Sequence, residues 1–238
     1  MKIGIVADTH YCSKTSLCHG TRIPALALER LEIACGFFKS SGADLIVCLG
    51  DVINVDDSDE LNKLNLERVS KVVHDTGIQC ICVMGNHDME AFTPEEFSHI
   101  SGFALAPLNI TYGNCALHFL DANNIAEGQP YTRDNIDWTK CHVVDHDVRV
   151  LERAVQDMTK KHFFFFHQCI DPNVDAQHII ANAPQLREII KGCGAKAVFQ
   201  GHFHKGCHST IDNIPYDTLA ALCSPEQNDY RLIDTDSY

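Results

Sequence analysis

Five short segments of this 238-residue chain place metal-binding side chains directly after an apolar run: Asp8-Thr9-His10, Gly50-Asp51, Gly85-Asn86-His87-Asp88, His167, and Gly201-His202-Phe203-His204. Aspartate, asparagine and histidine are ligands for divalent and transition-metal ions. Asp8 and His10 alternate, so on an extended segment both side chains leave the backbone on one side and can grip one ion. Asp51 offers two carboxylate oxygens and can bridge two ions. In the third segment the Asn86 amide oxygen can ligate, His87 can donate or accept a proton, and Asp88 can hold that imidazole in one tautomer. His202 and His204 put two imidazoles at alternate positions after a glycine that permits close backbone approach. Taken singly, Asp8-Thr9-His10 reads more readily as a turn with a capping carboxylate and a surface histidine, and Gly50-Asp51 as a common turn. One placement repeated across five segments points to a shared site.

Side chains this far apart in sequence meet only if the elements before them end at one edge. Residues 3–7, 45–49, 78–84, 163–166 and 197–199 read as buried strands, each donating its ligands from its C-terminal end, where open α/β sheets bind ligands. Residues 25–39 and 61–74 carry apolar stripes at helical spacing, with Leu28, Leu31 and Phe38 in the first and Leu64, Val69, Val72 and Val73 in the second. The acidic cluster Asp56, Asp57, Asp59 and Glu60 reads as a solvated helix start. Residues 93–147, broken by Pro94, Pro107, Gly113, Gly128 and Pro130, read as edge strands followed by a loop-rich cap at about 122–147. Helical spacing returns at 148–159 and 183–191, and the tail from Ala197 alternates short strands with turns, as an antiparallel meander closing a second sheet would. The order is that of a layered α/β protein, forming a single domain over residues 1–238.

In type and order, Asp8, His10, Asp51, Asn86, His87, His167, His202 and His204 resemble the motif set of calcineurin-like metallophosphoesterases, over residues 8–204. The resemblance implies an α/β/β/α four-layer sandwich of two mixed sheets and a binuclear centre of Mn, Fe, Zn or a mixture of them. By position, Asp8, His10, Asp51 and His204 would hold one ion, and Asp51, Asn86, His167 and His202 the other, with Asp51 as the bridge. It further implies phosphoester hydrolysis by a hydroxide bridging ions about 3.5–4 Å apart. His87 would protonate the leaving oxygen or steady the phosphoryl oxygens, with Asp88 orienting it.

Within that family, Asp8-Thr9-His10, the lone His167 and the tail are most similar to small phosphodiesterases and nucleotide-diphosphate hydrolases. Protein Ser/Thr phosphatases have longer catalytic chains and additional arginines beside the metals. Here Asn86-His87-Asp88 runs into Met89-Glu90, which leaves the phosphate-gripping cation unassigned. The expected activity is therefore on a small phosphodiester or nucleotide diphosphate. A phosphomonoesterase and a catalytically silent metal-binding scaffold are the alternatives.

Substrate contacts are expected from the loop after His10, through His19 and Arg22, and from the cap, where Tyr131 and Trp138 could stack a base. His142 and His146 are four apart and would align on a helix as a third metal pair, or else lie on a polar loop. His74, His99, His118, His162 and His178 carry no partner pattern and receive no role. A net charge of −13 argues against a nucleic acid polymer as partner. No run approaches the roughly 20 apolar residues of a membrane span. Several of the 12 cysteines sit inside apolar runs, and the N-terminus leads straight into a strand, so a cytoplasmic protein with reduced thiols is expected. Cys80 and Cys82 alternate with Ile81 and Val83 and should face one side together.

Overall fold

The computed structural model describes residues 1–14, 22–126, 128–135, 137–225 and 229–238. In chain order its first half forms β1 (Lys2–Val6), α1 (Pro24–Ser40), β2 (Leu45–Cys48), α2 (Asp59–His74), β3 (Cys80–Cys82), α3 (Asn86–Ala91), α4 (Pro94–Ser101), β4 (Ala104–Leu105), β5 (Leu108–Tyr112) and β6 (Cys115–Phe119). Then come β7 (Asn124–Ala126), β8 (Gln129–Pro130), α5 (Asp145–Ala154), β9 (Lys161–Phe165), α6 (Ala183–Gly192), β10 (Ala197–Gln200), β11 (Cys207–Ile211), β12 (Ile214–Thr218) and β13 (Arg231–Asp234).

Two mixed sheets result. The first runs β13-β1-β2-β3-β4 and the second β11-β12-β10-β9-β6-β5. Strand alternation decides their layering, because successive side chains leave opposite faces. Ile3, Ile5, Leu45, Val47, Ile81 and Val83 meet Phe119, Phe163, Phe165 and Phe199 in one core between the sheets. Cys48, Cys80, Cys82, Phe164 and Phe166 face the other way, toward helices that contribute Leu31, Phe38, Val69, Leu186 and Ile190. Cys80 and Cys82 thus share a face as expected, and every described cysteine is a free thiol. Each phenylalanine fully buried here contributes about 1.5–3 kcal/mol, so the run 163–166 is core on both of its faces. Register then aligns the strand ends: Val6 lies opposite Cys48, Cys48 opposite Cys82, and Phe165 opposite Phe199.

Residues 93–147 are more ordered than expected. Thr93 caps α4 in a capping box with Glu96, Pro94 occupies its first turn, and Gly102 closes it at φ 69°; these are start and stop signals of a helix, which the proline alone had suggested breaking. β6 is an interior strand, buried throughout and flanked by β5 and β9. Residues 122–147 hold the β7-β8 ribbon and a short 3-10 turn, Trp138–Lys140. The tail divides: β11 and β12 form a hairpin in the second sheet, but β13 crosses to pair antiparallel with β1. The acidic cluster divides too. Asp59 and Glu60 are in the first turn of α2, capped by Ser58, while Asp56 is buried and accepts from Ser13 and Asn65. Among the described residues no helix is long and apolar enough to cross a membrane.

Candidate metal centre

The expected ligands leave the strands through strained backbone. Asp8, His10, Asp51 and His202 have φ of 52°, 44°, 50° and 66°, in the left-handed region that costs a residue with a Cβ about 1–3 kcal/mol. Such conformations persist where neighbours over-determine them. Here Asp8 N donates to Gly50 O (3.0 Å) and His10 N to Asp51 O (2.8 Å), while His202 N donates to Asp8 Oδ2 (2.9 Å) and His87 N to Asp51 Oδ1 (2.8 Å). The loops approach so closely that two glycines are required. At Gly50, with φ +84°, a Cβ would lie 2.7 Å from the His167 ring, and at Gly85 it would overlap the Asp51 carboxylate. Gly85→Ala should therefore destabilise the fold by about 1–3 kcal/mol, the usual cost of overpacking, and weaken metal binding as well. Denaturant unfolding paired with a metal titration would reveal both effects; wild-type stability would show that the loop yields without strain.

Around Asp51 the side chains form two groups that share one oxygen. Asp51 Oδ2 lies 3.3 Å from His10 Nε2 and 3.5 Å from His167 Nε2. On the first side, His10 Nε2 is 3.0 Å from His204 Nε2, and each is within 3.7 Å of Asp8 Oδ1. On the second, His167 Nε2 is 3.3 Å from Asn86 Oδ1, and His202 joins Asp51 and His167 with ligand atoms within 4.8 Å of one another. All but His204 are buried. Even so, among the described residues Asp8 Oδ1 and His202 Nε2 have no hydrogen-bond partner, and leaving such buried atoms unpaired costs about 1–3 kcal/mol each. Converging oxygen and nitrogen lone pairs with orphaned members fit two divalent cations.

Tautomers and charges agree with that fit. His167 Nδ1–H donates to Leu49 O at 2.6 Å, which leaves Nε2 free to ligate. Burial pushes the Asp51 carboxyl up, but His167, His87 and His10 around it hold it well below the usual range. Asp8 is held low against burial in the same way, by His10 and His204. Burial would also lower His167, yet the Asp51 charge reverses this and raises it to about 10, so in the ion-free site a proton on Nε2 faces Asp51 Oδ2, and a bound cation would have to displace it. Burial keeps His10 and His202 far below their ordinary value, hence neutral, as ligating imidazoles must be.

His87 sits beside this centre, its ring edge-on to His10 at 4.9 Å, and burial pushes its imidazole down to about 4 against the pull of Asp51. Asp88 does not hold it. Its Oδ1 accepts from Val52 N (2.9 Å) and Ile53 N (3.2 Å), and its Oδ2 from Gly85 N (2.9 Å), so Asp88 ties the Asp51 loop to the Asn86 loop from behind. The carboxylate beside His87 Nδ1 is that of Glu90, 3.6 Å away. The reason is local: residues 86–91 are helical, and on a helix a residue shares its face with the third one along, not with its neighbour.

Over the centre opens a cleft of about 680 Å³ whose lining includes Arg22, His87, Trp138, His178, Phe203 and Lys205. Arg22 and Trp138 thus lie where substrate contacts were expected. Arg22 Nη1 donates to Asn54 Oδ1 at 2.7 Å, while its buried Nε has no partner among the described residues. Trp138 packs edge-on against His202, with ring centroids 5.0 Å apart. Tyr131 departs from expectation: it is 1% exposed, belongs to the helix-side core and hydrogen-bonds the Asn86 side chain. It steadies a candidate ligand and cannot stack a base. His19 lies outside the described residues. His142 and His146 share no helix face, because α5 begins at Asp145 and His142 is in an extended bridge to residues 123 and 124. His178, given no role from sequence, packs against Trp138, His202 and Phe203 at 5.4, 5.2 and 5.1 Å. Its signal was position: it lies on the loop leaving the His167 strand, and loops after strand ends line the crevice.

A family profile described as calcineurin-like phosphoesterase matches residues 1–206. Among solved structures, a dimetal phosphatase from Danio rerio superposes with a TM-score of 0.82 at 14% identity, covering 97% of this chain and 91% of that one. A protein from Thermus thermophilus gives 0.65 at 12% identity, over 99% of this chain and 95% of that one. An anchor protein of the Plasmodium inner membrane complex gives 0.61 at 14%, over 96% and 75% respectively. At such identities the likeness establishes the fold. No curated protein sequence matches the chain.

Proposed function

The chain belongs to the calcineurin-like phosphoesterase family, and from that premise we propose that it is a binuclear metal-dependent hydrolase of a small phosphodiester or nucleotide diphosphate. One observation carries the reading: Asp51 Oδ2 stands between two ligand groups, 3.3 Å from His10 Nε2 and 3.5 Å from His167 Nε2, which is the place of a bridging ligand. Asp8, His10, Asp51 and His204 would hold one ion, and Asp51, Asn86, His167 and His202 the other. When bound, the pair supplies Lewis acidity that activates water and offsets phosphoryl charge.

The remaining residues select and orient. Arg22 lines the cleft and would grip the phosphoryl oxygens that the sequence left without a cation. His87, neutral in the free site, gains a reason to hold a proton once an anionic phosphate lies beside it, and would pass that proton to the leaving oxygen. Trp138, His178 and Phe203 form an aromatic wall for the organic substituent. A cleft of about 680 Å³ falls within the roughly 300–1,000 Å³ of small-molecule sites.

Arg22→Ala should lower kcat/KM by about 10- to 100-fold, because a hydrogen bond to a charged group is worth about 1.5–3 kcal/mol. Arg22→Lys should recover part of it, with one compact charge in place of a fork. Steady-state kinetics on the metal-loaded enzyme decide this, and an unchanged alanine variant would remove Arg22 from the substrate site.

The test of the function is hydrolysis of bis-p-nitrophenyl phosphate against p-nitrophenyl phosphate by metal-stripped protein reloaded separately with Mn, Fe or Zn. Preference for the diester is the expected result. Arg22 and Lys205 both line the cleft and could face a dianion, so preference for the monoester would install the phosphomonoesterase reading instead. Metal binding with no turnover of either would indicate a scaffold.

A further inference from the structure

One soft donor stands at the centre that neither ligand group includes. Cys223 is fully buried, and its Sγ forms, with ring nitrogens of His10 and His204, a third group of ligand atoms within 4.8 Å of one another. Its position is fixed by main chain. Ala221 N donates to His204 O (3.0 Å), Leu222 N to Ala7 O (3.3 Å), Cys223 N to Asp8 O (3.4 Å), and Ile23 N to Cys223 O (2.8 Å), which ties residues 221–223 to the loops carrying Asp8, His10 and His204. Three strand-borne cysteines behave differently. Cys48, Cys80 and Cys82 are embedded in the large helix-side core, where a thiol is a small apolar residue. Among the described residues Cys223 clusters with Ala27 and Ala221 as buried apolar neighbours, and its Sγ lies within 4.8 Å of ring nitrogens of His10 and His204. Asp8 Oδ1, on the same side of the centre, is a buried acceptor with no hydrogen-bond partner among the described residues, so this position calls for positive charge independently of the cysteine.

We propose that Cys223 is a further ligand of the ion held by Asp8, His10, Asp51 and His204, which gives that position a sulfur donor and a preference for Zn or Fe over Mn. On ion binding the S–H bond is replaced by a sulfur–metal bond and the proton passes to water, as for coordinating thiols generally. Thiolate sulfur favours zinc and iron, whereas manganese favours an all-oxygen or oxygen–nitrogen set. The two ions of the centre would then differ in kind, the second position keeping only Asp51, Asn86, His167 and His202. The inference rests on the binuclear reading above and sharpens which metals that centre takes.

The experiment is X-ray absorption at the zinc edge of the zinc-loaded protein, with metal content measured on the same sample. A zinc–sulfur shell at about 2.3 Å is expected in the wild type, at about one sulfur per two zincs, and it should vanish in Cys223→Ser. In Zn-against-Mn competition the variant should lose at least the roughly 10- to 100-fold of affinity that removing even an outer-shell partner costs. Because the wild-type spectrum is decisive alone, a variant that fails to fold leaves the test intact. Two zincs with nitrogen and oxygen neighbours only would overturn the cysteine ligand while the centre stands. A sulfur shell that survives in Cys223→Ser would assign it to another thiol and overturn the proposal too. Failure to retain zinc at all would overturn both the ligand and the centre.

Discussion

Asp51→Asn should cost about a thousandfold or more in kcat/KM and leave the protein with at most one of the two proposed ions. The substitution is close to isosteric, and the Asn side-chain oxygen can still accept from His87 N, as Asp51 Oδ1 does at 2.8 Å. What changes is the other atom. An amide N–H group would replace the oxygen that lies between His10 Nε2 and His167 Nε2, turning a shared acceptor into a donor aimed at both cation positions and removing one of the buried negative charges. A two-metal clamp contributes several kcal/mol of transition-state stabilisation, and at about 1.4 kcal/mol per factor of ten its loss accounts for the thousandfold. Metal analysis, kinetics and a thermal melt on the same preparation separate the effects. The variant should fold, since the backbone ties of its loop run through Asp88, Gly50 and Asp8. Retention of two ions with near-normal turnover would remove Asp51 from the bridging position and with it the binuclear reading.

Much of this site is legible in the sequence because its ligands sit at one kind of place. A strand that ends in Asp or His with a glycine beside it announces both burial and an exit at the sheet edge, and the parallel register of β1, β2 and β3 does the rest. Features that depend on two distant elements left weaker traces. Asp88 looks like a partner for His87 because it is next in the chain, and only the helical start at Asn86 sends it backward to the amides of Val52, Ile53 and Gly85. Tyr131 looks like a stacking platform because it lies in a loop-rich region; burial against the helix-side core is a property of the whole packing and has no local signature. His178 and Cys223 each reach the site from loops outside the motif segments, so no spacing rule marks them. The strain at Asp8, His10, Asp51 and His202 belongs to the same class: no pattern reveals it, yet sparsely populated backbone collected at one point is a usual mark of a functional site.

For His87→Ala the expected result is a fall in kcat of about 10²- to 10³-fold, within the range for a general acid or base, with both ions retained. The separation follows from geometry: the ring lies edge-on to His10 at 4.9 Å, and among the described residues His87 is in none of the groups whose ligand atoms converge. A proton donor has a signature that a merely structural imidazole lacks. An alkoxide leaves poorly without a proton while p-nitrophenolate leaves well unaided, so the loss should be large on an alkyl phosphodiester and small on the p-nitrophenyl one. Glu90→Gln should show the same leaving-group pattern in weaker form, because Glu90 is the carboxylate 3.6 Å from His87 Nδ1 and supports the charged ring without touching substrate. Asp88→Asn should instead disturb stability and metal retention, because it exchanges an acceptor of backbone N–H groups for an amide in a buried hub. Equal losses on both leaving groups in His87→Ala would move His87 from proton transfer to steadying the phosphoryl oxygens. Loss of an ion from that variant would make it a ligand, against the geometry that sets it apart.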